Sequence, residues 1–183
     1  VLFRSDDIRM PVNALHARYT WHSVTFEAIC NPVADFFILP TDRRNPWALT
    51  LPSAPLPYTI DLESGKPEKI LRNMEYGGRI TTNLSGIDFS LSALRTWNKM
   101  PALSLAVSDD GKSLLAKGEY RRMTMLGADC SLPVGQIVLR GEAACYFDEA
   151  QSRGVGKDVV CRNTYNILAG VDWYPGNDWN FSA

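Results

Sequence analysis

The residues able to do chemistry in this chain are arginines and carboxylates spaced two apart. Between Glu119 and Phe147, one parity takes Glu119, Arg121 and Asp129, and after a glycine-bearing turn Arg140 and Glu142 follow on the same side. Spacing of two is the period of a β-strand, so these charges share one face. A turn at Val134-Gly135 sets Asp129 opposite Arg140, where a cross-strand charge pair is favourable. A turn at Ser85-Gly86 brings Asn83 opposite Asp88 and gathers Glu75, Arg79 and Asp88 on a polar face. A turn at Trp21-His22 faces His16 with Glu27 and leaves Arg18 one diagonal away. A last strand adds Arg162, Thr164, Asn166 and Asp172 to the same side. Arginines facing carboxylates across a water-filled space order the water and set up a transverse field, which filters solutes by charge and dipole.

Acid–base and nucleophilic chemistry have little to stand on. Of the two histidines, His16 faces a carboxylate and His22 lies in a turn, and no serine falls beside either in register. GxSxG, HExxH and a glycine-rich phosphate loop are absent, and Ser64-Gly65-Lys66 lacks the preceding glycines of such a loop. Asp129 and Glu142 are explained by the neighbouring Arg140 as members of a charge ladder. The cysteines, at 30, 130, 145 and 161, show no CxxC spacing and fall on the apolar parity. With Cys130 opposite Leu139 and Cys145 opposite Thr124, a bridge between those two does not fit. The expectation is no enzyme, no metal and no cofactor.

The elements that must carry these charges are strands with an uncharged second face. Thr124, Leu126, Ala128, Cys130 and Leu132, then Ile137, Leu139, Ala143, Cys145 and Phe147, keep that side free of charge over about ten residues. That is the length a tilted strand needs to cross a bilayer. Tight turns at Trp21-His22, Ser85-Gly86, Val134-Gly135 and around Gly176-Asn177 alternate with long links at 31–72, 98–118 and 148–159. This short–long alternation is that of outer-membrane barrels. Trp21, Trp97, Phe147, Trp173, Tyr174 and Trp179 gather near strand ends, the depth that tryptophan and tyrosine prefer. All six lysines fall in the links, whereas a soluble sheet spends lysine on its wet face. Arg95 and Arg122 depart from the pattern: parity sends them outward, at loop ends where arginine can snorkel. Hydrophobic content of 45%, net charge −1 and mean hydropathy −0.15 exclude a disordered chain and a nucleic-acid-binding basic surface. No apolar run approaches the ~20 residues of a membrane helix.

The 31–72 link holds seven of the eleven prolines and interrupts apolar sequence with Asp35, Asp42, Arg43 and Arg44. Two readings stay open: a constriction loop entering the lumen, its charges setting ion preference, or an outer loop packed on the rim. Within it, PEKILRN can make one helical turn after Pro67. Residues 1–5, VLFRS, match the translated tail of a sequencing adapter and are set apart, leaving a partial barrel domain over 6–183. Seven strands and a stub point to a fragment of a larger barrel, on the order of 14–18 strands.

Three segments carry a resemblance: MLGADCSLPVGQIVLRGEAACYF, the NPVADFFILP of 31–40 with NPW at 45–47, and the closing AGVDWYPGNDWNFS. Together they resemble Gram-negative outer-membrane porin-like β-barrels of unknown function, over most of residues 12–183. The resemblance implies a bacterial outer-membrane location and passage of small molecules, and it carries no catalytic residues. The expectation is therefore an all-β, antiparallel up-and-down transmembrane barrel for passive diffusion of small solutes. Its partners would be outer-membrane lipid and small solutes, with no nucleic acid and with homo-oligomerisation left open. Two alternatives stand beside it: a soluble lipocalin-like barrel for a small apolar ligand, and a non-conducting adhesin or scaffold barrel.

Overall fold

Eight of the alternating segments pair into one antiparallel sheet in the computed structural model, which describes residues 12–41, 44–47, 56–108 and 111–183. Its strands are β1 (Leu15–Trp21), β2 (Val24–Asn31), β4 (Glu75–Leu84), β5 (Ile87–Trp97), β8 (Arg122–Val134), β9 (Ile137–Gln151), β10 (Val160–Gly176) and β11 (Trp179–Ser182). Three further strands, β3 (Tyr58–Asp61), β6 (Ala102–Val107) and β7 (Leu114–Glu119), lie between them in the chain. The large sheet keeps chain order, β1-β2-β4-β5-β8-β9-β10-β11, so every neighbour is an antiparallel up-and-down partner. It is open: β1 and β11 are free edges, and no closure into a barrel occurs among the described residues.

Three of the four tight turns lie one residue later than the sequence suggested, the last of them at Asn177-Asp178 between Gly176 and Trp179. β1 and β2 pair Trp21 with Val24, so the turn is His22-Ser23 and Arg18, not His16, stands directly opposite Glu27. β8 and β9 pair Val134 with Ile137, so the turn is Gly135-Gln136. Asp129 consequently faces Glu142, and Arg140 faces Ser131. Cys130 meets Gly141 and Cys145 meets Leu126, and all four cysteines are free thiols. The reason is backbone geometry. His22 and Gly135 have φ of 53° and 60°, and each takes the first turn position. The β4–β5 hairpin has the expected register, Asn83 to Asp88, Thr82 to Phe89 and Ile80 to Leu91, with Ser85 and Gly86 both at positive φ. A register error of two leaves every side chain on its own face.

The long links are not plain loops. β3, β6 and β7 form a second, three-stranded sheet in the order β3-β7-β6, with β3 parallel to β7 and β7 antiparallel to β6. β7 alternates cleanly, burying Leu114, Ala116 and Gly118. β9 runs on to Gln151, with Asp148 at φ 62° where the β9–β10 register shifts by one. The remaining 152–159 link ties to β6: Leu103 N–H donates to Ser152 Oγ at 2.7 Å and Gly156 N–H to the Leu105 carbonyl at 2.8 Å. The helical turn foreseen in PEKILRN is a 3-10 turn at Leu71–Asn73.

Burial divides the two sheets. The buried apolar side chains among the described residues are Ala34, Leu62, Ala102, Leu114, Ala116 and Tyr120. All six belong to the links and the small sheet. The large sheet instead exposes Leu15, Tyr19, Phe26, Tyr76, Ile80, Leu91, Leu126, Leu139, Tyr165 and Ile167, the last at 85%. One row runs Tyr19, Phe26, Ile80, Leu91, Ala128, Ala143, Ile167 across seven strands without a charge. At the turn end Trp173 and Trp179 each stack on Phe181, at 5.5 and 5.9 Å.

Candidate functional site: the charged face of the large sheet

Every strand of the large sheet from β1 to β10 contributes ionisable side chains to one face. Its middle is built from two adjacent rows. One runs Arg18, Glu27, Arg79, Ser92, Gly127, Ala144, Asn166, and the next runs Thr20, Thr25, Thr81, Ser90, Asp129, Glu142, Leu168. Glu27 is approached by Arg18 at 3.6 Å and by His16, one diagonal away, at 3.9 Å. Arg79 spans β5 to reach Asp129 at 3.0 Å, and its Nε–H donates to Ser90 Oγ at 3.0 Å. Ser90 in turn donates to Asp129 and is fully buried beneath the pair. Arg140 takes Asp172 of β10 at 2.6 Å rather than Asp129. The charge ladder is thus present, with partners on strands other than those foreseen.

Asp129 and Glu142 stand directly opposite one another, an arrangement that repels unless a cation intervenes. Arg79 supplies that cation for Asp129. Small residues flank the pair, and an open hollow of about 910 Å³ follows, bordered by Arg79, Asp129, Glu142, Tyr146, Asn166 and Leu168. A second hollow of about 250 Å³ lies on the same face, beside His16, Glu27, Gly77, Arg79 and Leu94. Most of the residues bordering both belong to the charged side.

At the loop end of this face Glu75 is almost entirely covered. It accepts hydrogen bonds from Asn31 Nδ2 at 3.0 Å, Lys99 Nζ at 2.6 Å, the Trp97 N–H at 3.2 Å and the Thr96 hydroxyl. Lys99 also donates to the Asp35 carbonyl at 2.9 Å and lies 5.5 Å from the Phe36 ring centre. Phe36 packs edge-on against Tyr120, and Phe37 N–H donates to the Lys99 carbonyl. The first part of the 31–72 link is therefore latched over this end of the sheet. Sequence reasoning missed Lys99 because it stands in a link. Strand periodicity gave no signal for it, since β5 ends at Trp97 and Lys99 lies in the bend beyond.

The other expected site residues scatter. Asp88 sits at the turn end and accepts from Asn83 Nδ2 at 2.8 Å. Arg162 stands opposite Glu149 on β10. Arg121 is not on a strand of the large sheet: it lies in the junction between β7 and β8 and pairs with Glu119 at 2.8 Å. Of the foreseen constriction residues, Asp35 joins the latch through its backbone and Arg44 is exposed, while Asp42 and Arg43 lie outside the described residues. No group of three or more histidine, cysteine or carboxylate side chains able to hold a metal ion occurs among the described residues.

Outside the large sheet two groups are shifted. The Ser64 hydroxyl and N–H, donating to Asp61, hold its carboxyl below the usual range. Burial pushes the Tyr120 phenol up. No protein-family model, curated protein or solved structure matches this chain.

Proposed function

We propose that the large sheet is a wall of an outer-membrane porin-like β-barrel, its uncharged face against lipid and its charged face toward a water-filled lumen that passes small solutes. One observation carries the reading: the large sheet contributes no buried apolar side chain, although one whole face of it is apolar. Exposed apolar surface on this scale is unfavourable in water and costs nothing against acyl chains. The hollows on the charged face favour this orientation over a lipocalin-like barrel, whose apolar face would be the concave one. A bilayer tolerates no unpaired strand edge, so β1 and β11 must meet further strands for the sheet to sit there.

A second reading has its own observation. The Glu75–Lys99 latch holds residues 34–37 against the loop end of the charged face, as a plugged, non-conducting scaffold would. Swelling of phosphatidylcholine vesicles carrying the folded protein in an isotonic pentose solution separates the two. Swelling that exceeds protein-free vesicles supports the channel; tightly inserted protein with no swelling supports the scaffold. Protein that stays in the aqueous phase, folded and without lipid, overturns both.

A further inference from the structure

The apolar face has two charges on β1, β2, β4, β5 and β8, and both are arginines at the loop end. Arg95 stands opposite Thr124, and Arg122 opposite Trp97, so the two are diagonal neighbours across the β5–β8 pair. Neither meets a carboxylate among the described residues. Arg95 donates to Thr124 Oγ1 at 2.7 Å. Arg122 donates to the Arg72 carbonyl at 3.4 Å and to the Met74 carbonyl, its guanidinium 5.3 Å from the centre of the Trp97 ring. Its Nε–H is buried and has no partner among the described residues. Arg72, exposed, borders the same corner through its carbonyl. The three arginines give the corner three positive charges.

Below this corner the surface is apolar. Tyr76 lies opposite Arg95, and Ile80, Leu91, Ala93 and Leu126 continue toward the turn end. A cationic rim above an uncharged wall, with Trp97 level with Arg122, matches an amphiphile that is anionic at its head and apolar in its tails. Snorkelling explains how one arginine is tolerated at such a depth. It does not call for two adjacent ones fixed by backbone carbonyls and a threonine. Resting on the lipid-facing reading above, we propose that Arg95, Arg122 and Arg72 form a binding site for a phosphate-bearing lipid headgroup in the loop-side leaflet. Arginine suits that role because its fork donates two parallel hydrogen bonds to phosphate.

The test uses the folded protein in detergent micelles with equal amounts of phosphatidylglycerol and phosphatidylcholine of identical chains. Lipid retained on the protein is counted by native mass spectrometry. The expected result is retention dominated by phosphatidylglycerol. Arg95→Gln and Arg72→Gln should each lower that preference about fivefold, the effect of one basic residue near an anionic lipid surface. Arg122 also holds the link backbone, so Arg122→Lys, which keeps the charge, serves in place of its removal and should retain most of the preference. Equal retention of the two lipids, or a preference that survives Arg95→Gln with Arg72→Gln, overturns the proposal. Quenching of a bimane on Cys145 by lipids brominated along the acyl chain reports insertion in the same protein. Without that quenching the lipid-facing reading itself fails; with it and no headgroup preference, only the headgroup site falls.

Discussion

Placing an arginine at Ile167 separates a lipid-facing wall from a wetted one. Ile167 is 85% exposed and sits midway along β10, opposite Ala143, in the row that crosses seven strands uncharged. If water covers that face, the side chain has little packing to lose. Exchange for arginine then changes stability by no more than about 0.5 kcal/mol. If acyl chains cover it, a guanidinium near the bilayer midplane costs roughly 2–4 kcal/mol, a factor of about 30 to 900 in the folded population. Asn166 is the control, one residue away, on the charged face opposite Ala144. Asn166→Arg adds the same side chain within reach of Glu142 and the hollow, and should cost under about 1 kcal/mol. Urea unfolding of the protein in phosphatidylcholine vesicles, followed by tryptophan fluorescence, measures both. Ile167→Arg indistinguishable from the parent, or Asn166→Arg equally damaging, would refute the reasoning.

Four further outcomes are expected. Lys99→Ala leaves the Glu75 charge covered without its cation, which costs about 3–5 kcal/mol locally; amide exchange at Phe37, whose N–H donates to the Lys99 carbonyl, should accelerate while β8–β9 amides stay protected. Arg79→Gln leaves Asp129 and Glu142 facing each other uncompensated, and the reversal potential in a salt gradient should move toward the cation value; Asp129→Asn added to it should move it back. Gly65→Ala puts a methyl 1.8 Å from the Gly118 carbonyl, so proteolysis within 56–118 should rise sharply with the large sheet intact. Asp61, whose folded carboxyl is held below its unfolded value, stabilises its turn above about pH 4. That contribution fades as pH falls through the lowered folded value, so Ser64 amide exchange should quicken there, and Asp61→Asn should abolish the pH dependence.

Which face each strand residue takes was legible in the sequence, because side-chain parity depends only on counting by two. Which residue meets which was less so. In the β1–β2 and β8–β9 hairpins the pairing rests on which residue adopts positive φ at the first turn position, and His22 gives little sign of it. Ser85-Gly86 could be placed because its glycine takes positive φ at the second turn position. Arg79 reaching Asp129 across an intervening strand has no signature in either hairpin, since the contact is set by the β5–β8 pairing that follows a long link. The small sheet escaped notice for the same reason. β3 pairs in parallel with a strand far along the chain, and parallel pairing leaves no turn between its members. Charges within one hairpin could be assigned to a face, whereas Lys99 and Arg121 depended on how the links fold back.

The central claim is that lipid covers the uncharged face, and the native thiols offer a direct reading of it. Cys145 lies on that face opposite Leu126 and Tyr165, within the uncharged band. With Cys30, Cys130 and Cys161 changed to serine, a bimane on Cys145 can be challenged by lipids brominated at mid-chain and by aqueous iodide. The account predicts strong quenching by the brominated lipid and little by iodide. Quenching by iodide alone would mean a wetted face, and quenching by neither would mean an apolar face packed inside protein; either result contradicts the account.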